Sequence, residues 1–147
     1  MKAPGSSTRT FILFPLAVLA VEYFRGLNIV WWFAPLLAWG FLQYELIGRY
    51  RKRIGGGGPG MQIPPERLVT TGPYAWCRNP MYLGHLTFMT GAALVTRSPL
   101  AIGALALAGP WFGRRVAADE ARLTKAFGEP YTEYTKRVPR WLPRPPA

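Results

Sequence analysis

Residues 70–84 read TTGPYAWCRNPMYLG and gather the side chains best suited to chemistry in this 147-residue chain. A Gly72-Pro73 turn leads to the aromatic residues Tyr74 and Trp76, then to one cation, Arg78, and then to Asn79-Pro80. Asn caps orphan N–H groups at a helix start, and Pro at the first helical position gives up no needed donor. Residues 81–96 are almost wholly apolar, so a polar segment feeds a hydrophobic helix through its positive dipole end. With Arg78 beside it, that end suits an anionic group such as a carboxylate.

A matching acid lies further along. Asp119-Glu120 stand about five residues past Arg114-Arg115, roughly 8 Å along a helix. An acid facing Arg78 and Asn79 across one cleft could hold a zwitterion, with amine on carboxylate and carboxylate on the helix start. On spacing alone the plainer reading is favoured, in which Asp119 and Glu120 form helix-surface pairs with Arg115, Arg122 or Lys125. His85, the sole histidine, is either a general base or a neutral packing residue, and packing is preferred. Glu22 reads as a lumen-facing contact or an interfacial residue. Cys77 has Arg78 as neighbour but no His or second Cys to support a nucleophile, and a single cysteine excludes an internal disulfide or a cysteine-based zinc cluster. The sequence carries no metal-ligand cluster, P-loop or catalytic triad. A reaction here would depend on positioning a reactive cosubstrate.

The elements that must hold these residues are hydrophobic. Half the residues are apolar, with 6 Trp, 7 Tyr and 8 Phe, yet the net charge is +11. A basic balance suits nucleic acid or an anionic membrane surface. Nucleic acid is excluded by the distribution, because the cations avoid the apolar runs and flank them. The runs lie at about 10–24, 30–47, 80–96 and 99–112, each short of the ~20 residues of a straight span. Trp31, Trp32, Tyr44, Trp76, Tyr82 and Trp111 sit at run ends, as interfacial aromatics do. The expected fold is therefore all-α and polytopic, with about four transmembrane helices in two tight hairpins. Lys2 and Arg9 before the first run raise a signal peptide, but without a good cleavage site it reads as an uncleaved first span.

The two tight loops hold Arg25 and Arg97, and the other 16 of 18 cations lie before, between or after the hairpins. The positive-inside rule places both termini and the segment around 49–79 in the cytoplasm of a bacterial-type inner membrane. Arg49, Arg51, Lys52 and Arg53 read as a lipid-facing topology anchor. The Gly-rich stretch 54–60 lacks the context of a phosphate loop and reads as a flexible linker. Residues 114–127 continue the fourth run as a cytoplasmic helix, ending at a Gly128 cap and bending near Pro110. Residues 129–146, with five prolines, are expected to lie extended and pack back on the rest. The whole is one membrane-embedded domain, 1–147, whose tail 113–147 is cytoplasmic.

Two blocks carry a family resemblance. GPYAWCRNPMYLG (72–84) and DEARLTKAFGEPYTEYTKRVPRWLP (119–143) resemble the isoprenylcysteine carboxyl methyltransferase and phospholipid methyltransferase superfamily of integral membrane enzymes. The first matches Gly-x-Tyr followed by Arg-His/Asn-Pro-x-Tyr-x-Gly. The second matches Glu-x-x-Leu, Phe-Gly-x-x-Tyr-x-x-Tyr and a Val-Pro-Arg tail. The resemblance implies S-adenosylmethionine as cosubstrate, held on the cytoplasmic side by Tyr74, Arg78, Asn79, Pro80, Tyr82, Gly84, Glu120, Tyr131, Tyr134 and Arg140. Among these it points to Glu120, Arg78 and Tyr82 as catalytic. The acceptor it implies is lipophilic: a prenylcysteine-like carboxyl, a lipid amine or a thiol. The carboxyl-methylating branch usually has His where Asn79 stands, which weighs against assuming a prenylcysteine. A non-catalytic membrane scaffold with the same fold is the alternative. Metal ions are not expected, and the oligomeric state is left open.

Overall fold

The computed structural model describes residues 5–26, 28–57 and 65–145, which fold as helices and connecting turns with no strand. Helix α1 runs Ser6–Arg25 and widens to π-type turns over Arg9–Leu13. Pro15 follows that widening and cannot donate to the carbonyl four residues back, which is the usual reason for such a local adjustment. A 3₁₀ turn, Trp31–Phe33, opens α2, Ala34–Gly55. A short α3, Pro73–Trp76, precedes α4, Pro80–Thr96. Then come α5, Pro99–Phe127, and α6, Glu129–Arg137.

The all-α expectation holds. Of the four expected spans, α1 is the helix among the described residues that is long and apolar enough to cross a membrane. Helix α4 has 17 residues, and α2 and α5 carry charge in their C-terminal parts. Helix α5 does continue from the fourth apolar run through Pro110 to Phe127. Two expectations need correction. The Gly-rich segment begins later than residue 54, because Ile54 and Gly55 still belong to α2, and residues 58–60 lie outside the described residues. The tail is not extended from 129 onward. Gly128 turns the chain at φ 59°, Pro130 sits in the first turn of α6, and Lys136 and Arg137 favour its C-terminal end. Tyr131 and Tyr134, three residues apart, share one buried face.

The helices divide between two compact units. One is drawn from Met1–Gln43 and Leu83–Trp111, the other from Tyr44–Tyr82 and Phe112–Ala147.

In the first unit α1 and α4 run in the same direction. Phe11 stacks on His85 at 4.8 Å and meets Phe88 edge-on at 4.9 Å, while Val18 packs with Ala93 and with Ala101 of α5. Helices α2 and α4 are antiparallel and unusually close. A Cβ on Gly40 would overlap the Phe88 nitrogen, and one on Gly91 would stand 2.8 Å from the Leu37 nitrogen. Such approach needs glycine on the facing surfaces. The Val30 amide donates to the Val95 carbonyl at 2.8 Å. Arg97, at φ 50°, makes the sharp turn into α5.

In the second unit Ile47, Val69 and Tyr74 form a buried core, with Tyr50 and Met81 against it. The chain returns to the end of α2 through the Gly55 carbonyl, which accepts from Glu66 at 2.8 Å and Arg67 at 3.1 Å. Gly72, at φ 58°, lets the backbone pass so close to Tyr50 that a Cβ would meet its ring at 2.7 Å. The Tyr50 hydroxyl then pairs with Thr71 Oγ1 at 2.8 Å.

Candidate active site

All of the site described here lies within the second unit. Asn79-Pro80 begins α4, as the sequence predicts. The anion received beside it is the chain's own Glu120. The Asn79 amide donates to Glu120 Oε1 at 3.3 Å, and Arg78 Nε stands 3.5 Å from that oxygen. Arg140 Nη2 donates to Glu120 Oε2 at 2.6 Å. Burial separates the two cations: the Arg78 side chain is 12% exposed and that of Arg140 is 47% exposed. Arg78 is thus a fixed element of the interior and Arg140 a partner held from the surface.

The two neighbouring acids have divided roles. Asp119 takes the helix-surface pairing, with Arg122 Nη1 at 3.4 Å from Oδ1. Its other oxygen accepts the Tyr82 hydroxyl at 2.5 Å, and Arg115 Nε donates to that same hydroxyl at 3.3 Å. Glu120 turns away from its helix neighbours to Arg78, Asn79 and Arg140.

What holds Arg140 in place is a backbone clasp. The Arg78 amide donates to the Pro139 carbonyl at 2.9 Å, and the Arg144 amide to the Trp76 carbonyl at 3.0 Å. Asn79 Nδ2 also donates to the Arg140 carbonyl at 3.2 Å. The Cys77 thiol, 1% exposed, lies against the Arg140 and Trp141 carbonyls at 3.4 and 3.1 Å. Its burial pushes the thiol pKa up, opposed by the Asn79 amide and Arg78. Cys77 is thereby an inert tether rather than a nucleophile. Sequence reasoning missed this part. Its one signal was the run Trp76-Cys77-Arg78-Asn79, where a small polarizable side chain stands between site residues.

The aromatic residues close the other side. The Tyr134 hydroxyl donates to the Tyr74 carbonyl at 2.7 Å, and the Tyr131 and Tyr134 rings lie 5.9 Å apart. Burial pushes the Tyr74 and Tyr134 phenols well above their usual range. Tyr131 is pushed up to about 12, mainly by burial and then by the nearby Glu120 charge.

Tyr74, Arg78, Asn79, Tyr82, Glu120, Tyr131, Tyr134 and Arg140 therefore all stand in the second unit, with Pro80 buried at the start of α4. Gly84 follows two residues after Tyr82 on the same helix. It belongs to the first unit, where its carbonyl oxygen lies 2.9 Å from the position a Gly40 Cβ would take. His85 also belongs there, fully buried and stacked on Phe11.

Residues 58–129 match the phospholipid methyltransferase family. Over 78 residues the chain is 40% identical to protein-S-isoprenylcysteine O-methyltransferase of Mus musculus, a match covering 52% of this chain and 27% of the relative. The Xenopus laevis protein of the same name is 39% identical over 77 residues, with the same two shares. A longer match, 140 residues at 32% identity, is to cobalt-zinc-cadmium resistance protein CzcN of Cupriavidus metallidurans, covering 92% of this chain and 62% of that one. The chain matches about a quarter of the length of these two isoprenylcysteine methyltransferases.

Proposed function

The chain belongs to the isoprenylcysteine carboxyl methyltransferase and phospholipid methyltransferase superfamily, and from that membership we propose that it is an integral membrane methyltransferase. Its donor is S-adenosylmethionine and its acceptor a lipophilic carboxyl, amine or thiol reached from the bilayer at the cytoplasmic face. Four short spans in two hairpins, with both termini cytoplasmic, are the topology that goes with this reading.

The observation that carries it is the cluster of Glu120 with Arg78, Asn79 and Arg140. Arg78 Nε is buried and faces Glu120 Oε1 at 3.5 Å without a hydrogen bond, and a guanidinium with five N–H donors has capacity for a carboxylate as well. Glu120 has lone pairs beyond those engaged and suits an ammonium group. Those two demands, a carboxylate and an amine on one carbon, are what the amino-acid end of the donor presents, and the residues fit it. When bound, its sulfonium supplies an electrophilic methyl group. The protein's own work is then positioning and exclusion of water. Arg78 and Glu120 fix one end of the donor, the Tyr131 and Tyr134 face shields it, and Tyr82, held between Asp119 and Arg115, sets a rigid hydroxyl beside them.

One observation favours a second reading, a non-catalytic scaffold. Both Glu120 oxygens already have partners within the chain, as they would in a purely structural clasp. Calorimetry of S-adenosylmethionine with the detergent-purified chain separates the two. The methyltransferase reading expects micromolar binding, followed by transfer of labelled methyl to a lipid extract. Absence of binding to well-folded protein supports the clasp.

A further inference from the structure

Glu120 presents its two oxygens to different surroundings. Oε1 faces the Asn79 amide at 3.3 Å and Arg78 Nε at 3.5 Å, while Oε2 accepts from Arg140 Nη2 at 2.6 Å. The shortest of these contacts is made by the half-exposed cation, not by the buried one. Two guanidinium groups therefore already share one buried carboxylate. An ammonium arriving there is a third cation and is repelled by both, in surroundings that screen charge poorly. Arg78 is badly placed to yield, because moving off would strand a desolvated charge. Arg140 can yield, because its head group exchanges Glu120 for water.

Its release has a structural consequence. Arg140 belongs to the strap 139–144, which is fastened largely through its backbone. The Pro139 carbonyl accepts from the Arg78 amide, the Arg144 amide donates to the Trp76 carbonyl, and the Cys77 thiol lies against the Arg140 and Trp141 carbonyls. Much of its side-chain surface is in the open: Leu142 is 80% exposed, and Pro143 and Arg144 are exposed. A segment with few buried apolar side chains is among the first to open. The Arg140–Glu120 ion pair ties this strap to α5.

We propose that Arg140 is a latch built into the site. It competes with an ammonium ligand for Glu120 Oε2, and its release loosens the strap 139–144. The proposal rests on reading the Glu120 cluster as the S-adenosylmethionine site. It adds that the chain's own cation holds affinity below what Arg78 and Glu120 alone would give.

The test is calorimetry of S-adenosylmethionine with the full detergent-purified chain as wild type, R140Q and R140K, with the alkylation rate of Cys77 as a second readout. R140Q is expected to bind about two- to fivefold tighter, the worth of a half-exposed ion pair. R140K restores a cation and is expected to stay near wild type. A damaged fold would weaken binding, so a gain in affinity has no purely structural source. Cys77 is expected to react faster in R140Q than in wild type without donor, and faster in wild type once donor saturates. Equal or weaker binding by R140Q would overturn the latch and make Arg140 a bystander or a ligand of the donor carboxylate. Slower alkylation of wild type with donor would overturn it too, since the strap would then close over the ligand. Failure of the donor reading looks different: neither wild type nor R140Q binds. The alkylation rates without donor then decide, and equal rates in the two proteins would refute the latch.

Discussion

Arg140 Nη2 lies 2.6 Å from Glu120 Oε2, while Asn79 Nδ2 lies 3.3 Å from Oε1 of the same carboxylate. One acid thus receives a residue 41 positions before it and another 20 positions after it. The start of α4, the middle of α5 and the tail beyond α6 meet on a single side chain. Any ligand that uses Glu120 must share it with, or take it from, Arg140, whose side chain is the more exposed of the two cations.

Glu120→Gln keeps the volume but removes the charge, leaving Arg78 buried beside a neutral amide. Breaking one partner of a buried pair costs about 3–5 kcal/mol, and the half-exposed Arg140 limits the loss to the lower end or below. Cofactor affinity is expected to fall at least about tenfold, some 1.4 kcal/mol. Arg140→Gln should cost under about 1 kcal/mol, because solvent screens that partner. Calorimetry and denaturant unfolding of both variants check the ranking, and equal affinities in wild type and Glu120→Gln would remove Glu120 from the site.

Cys77 offers a probe of the tail. Its thiol is buried against two tail carbonyls and its pKa is raised, so little thiolate forms at neutral pH. Alkylation of the folded chain is expected to be at least about tenfold slower than in denaturant. Its rate should inflect at a higher pH than that of an ordinary thiol. Rapid labelling at neutral pH would mean that residues 138–144 do not cover Cys77 in solution.

Much of this was legible in the sequence because it is local. Asn79-Pro80 ahead of an apolar run is a helix-start signal, and the run 99–127 stays helical through Gly109-Pro110 and Gly113. The helix at Glu129–Arg137 was not legible, since five prolines in 129–146 outweighed the signal of Gly128, Pro130 and the Tyr131–Tyr134 pair. The choice of Glu120 for Arg78 and Arg140, and of Asp119 for Tyr82, depends on which face of α5 turns inward. Two adjacent acids look alike until packing decides it. Gly84 sits within the same motif as Asn79-Pro80, and its carbonyl lies close to Gly40 of α2, an approach between helices that no local spacing announces.

That approach makes its own prediction. A Cβ on Gly40 would meet the backbone of Phe88, which cannot give as a flexible side chain can. Gly40→Ala is therefore expected to destabilise the chain by about 1–3 kcal/mol despite alanine's better helix propensity. At Gly103 an added Cβ would find nothing within 4 Å, so Gly103→Ala should be neutral or stabilising by up to about 1 kcal/mol. Thermal unfolding in one detergent compares them directly. A stable Gly40→Ala would mean that α2 and α4 do not approach as closely as the Gly40–Phe88 backbone contact requires.

Tyr134→Phe isolates the contact that seats α6. Its hydroxyl donates to the Tyr74 carbonyl at 2.7 Å in a buried setting, so the variant leaves that carbonyl unpaired at a cost of about 1–3 kcal/mol. The alkaline limb adds a second readout. Burial raises the Tyr134 phenol above its ordinary value, so above pH about 10 the unfolded chain loses this proton while the folded chain keeps it. The contribution is present below that pH and is lost as pH rises toward the folded value, so stability falls with pH there. Tyr134→Phe should be less stable at neutral pH and fall less steeply above it. Parallel alkaline slopes in the two proteins would place the Tyr134 hydroxyl in water and undo its role in seating α6.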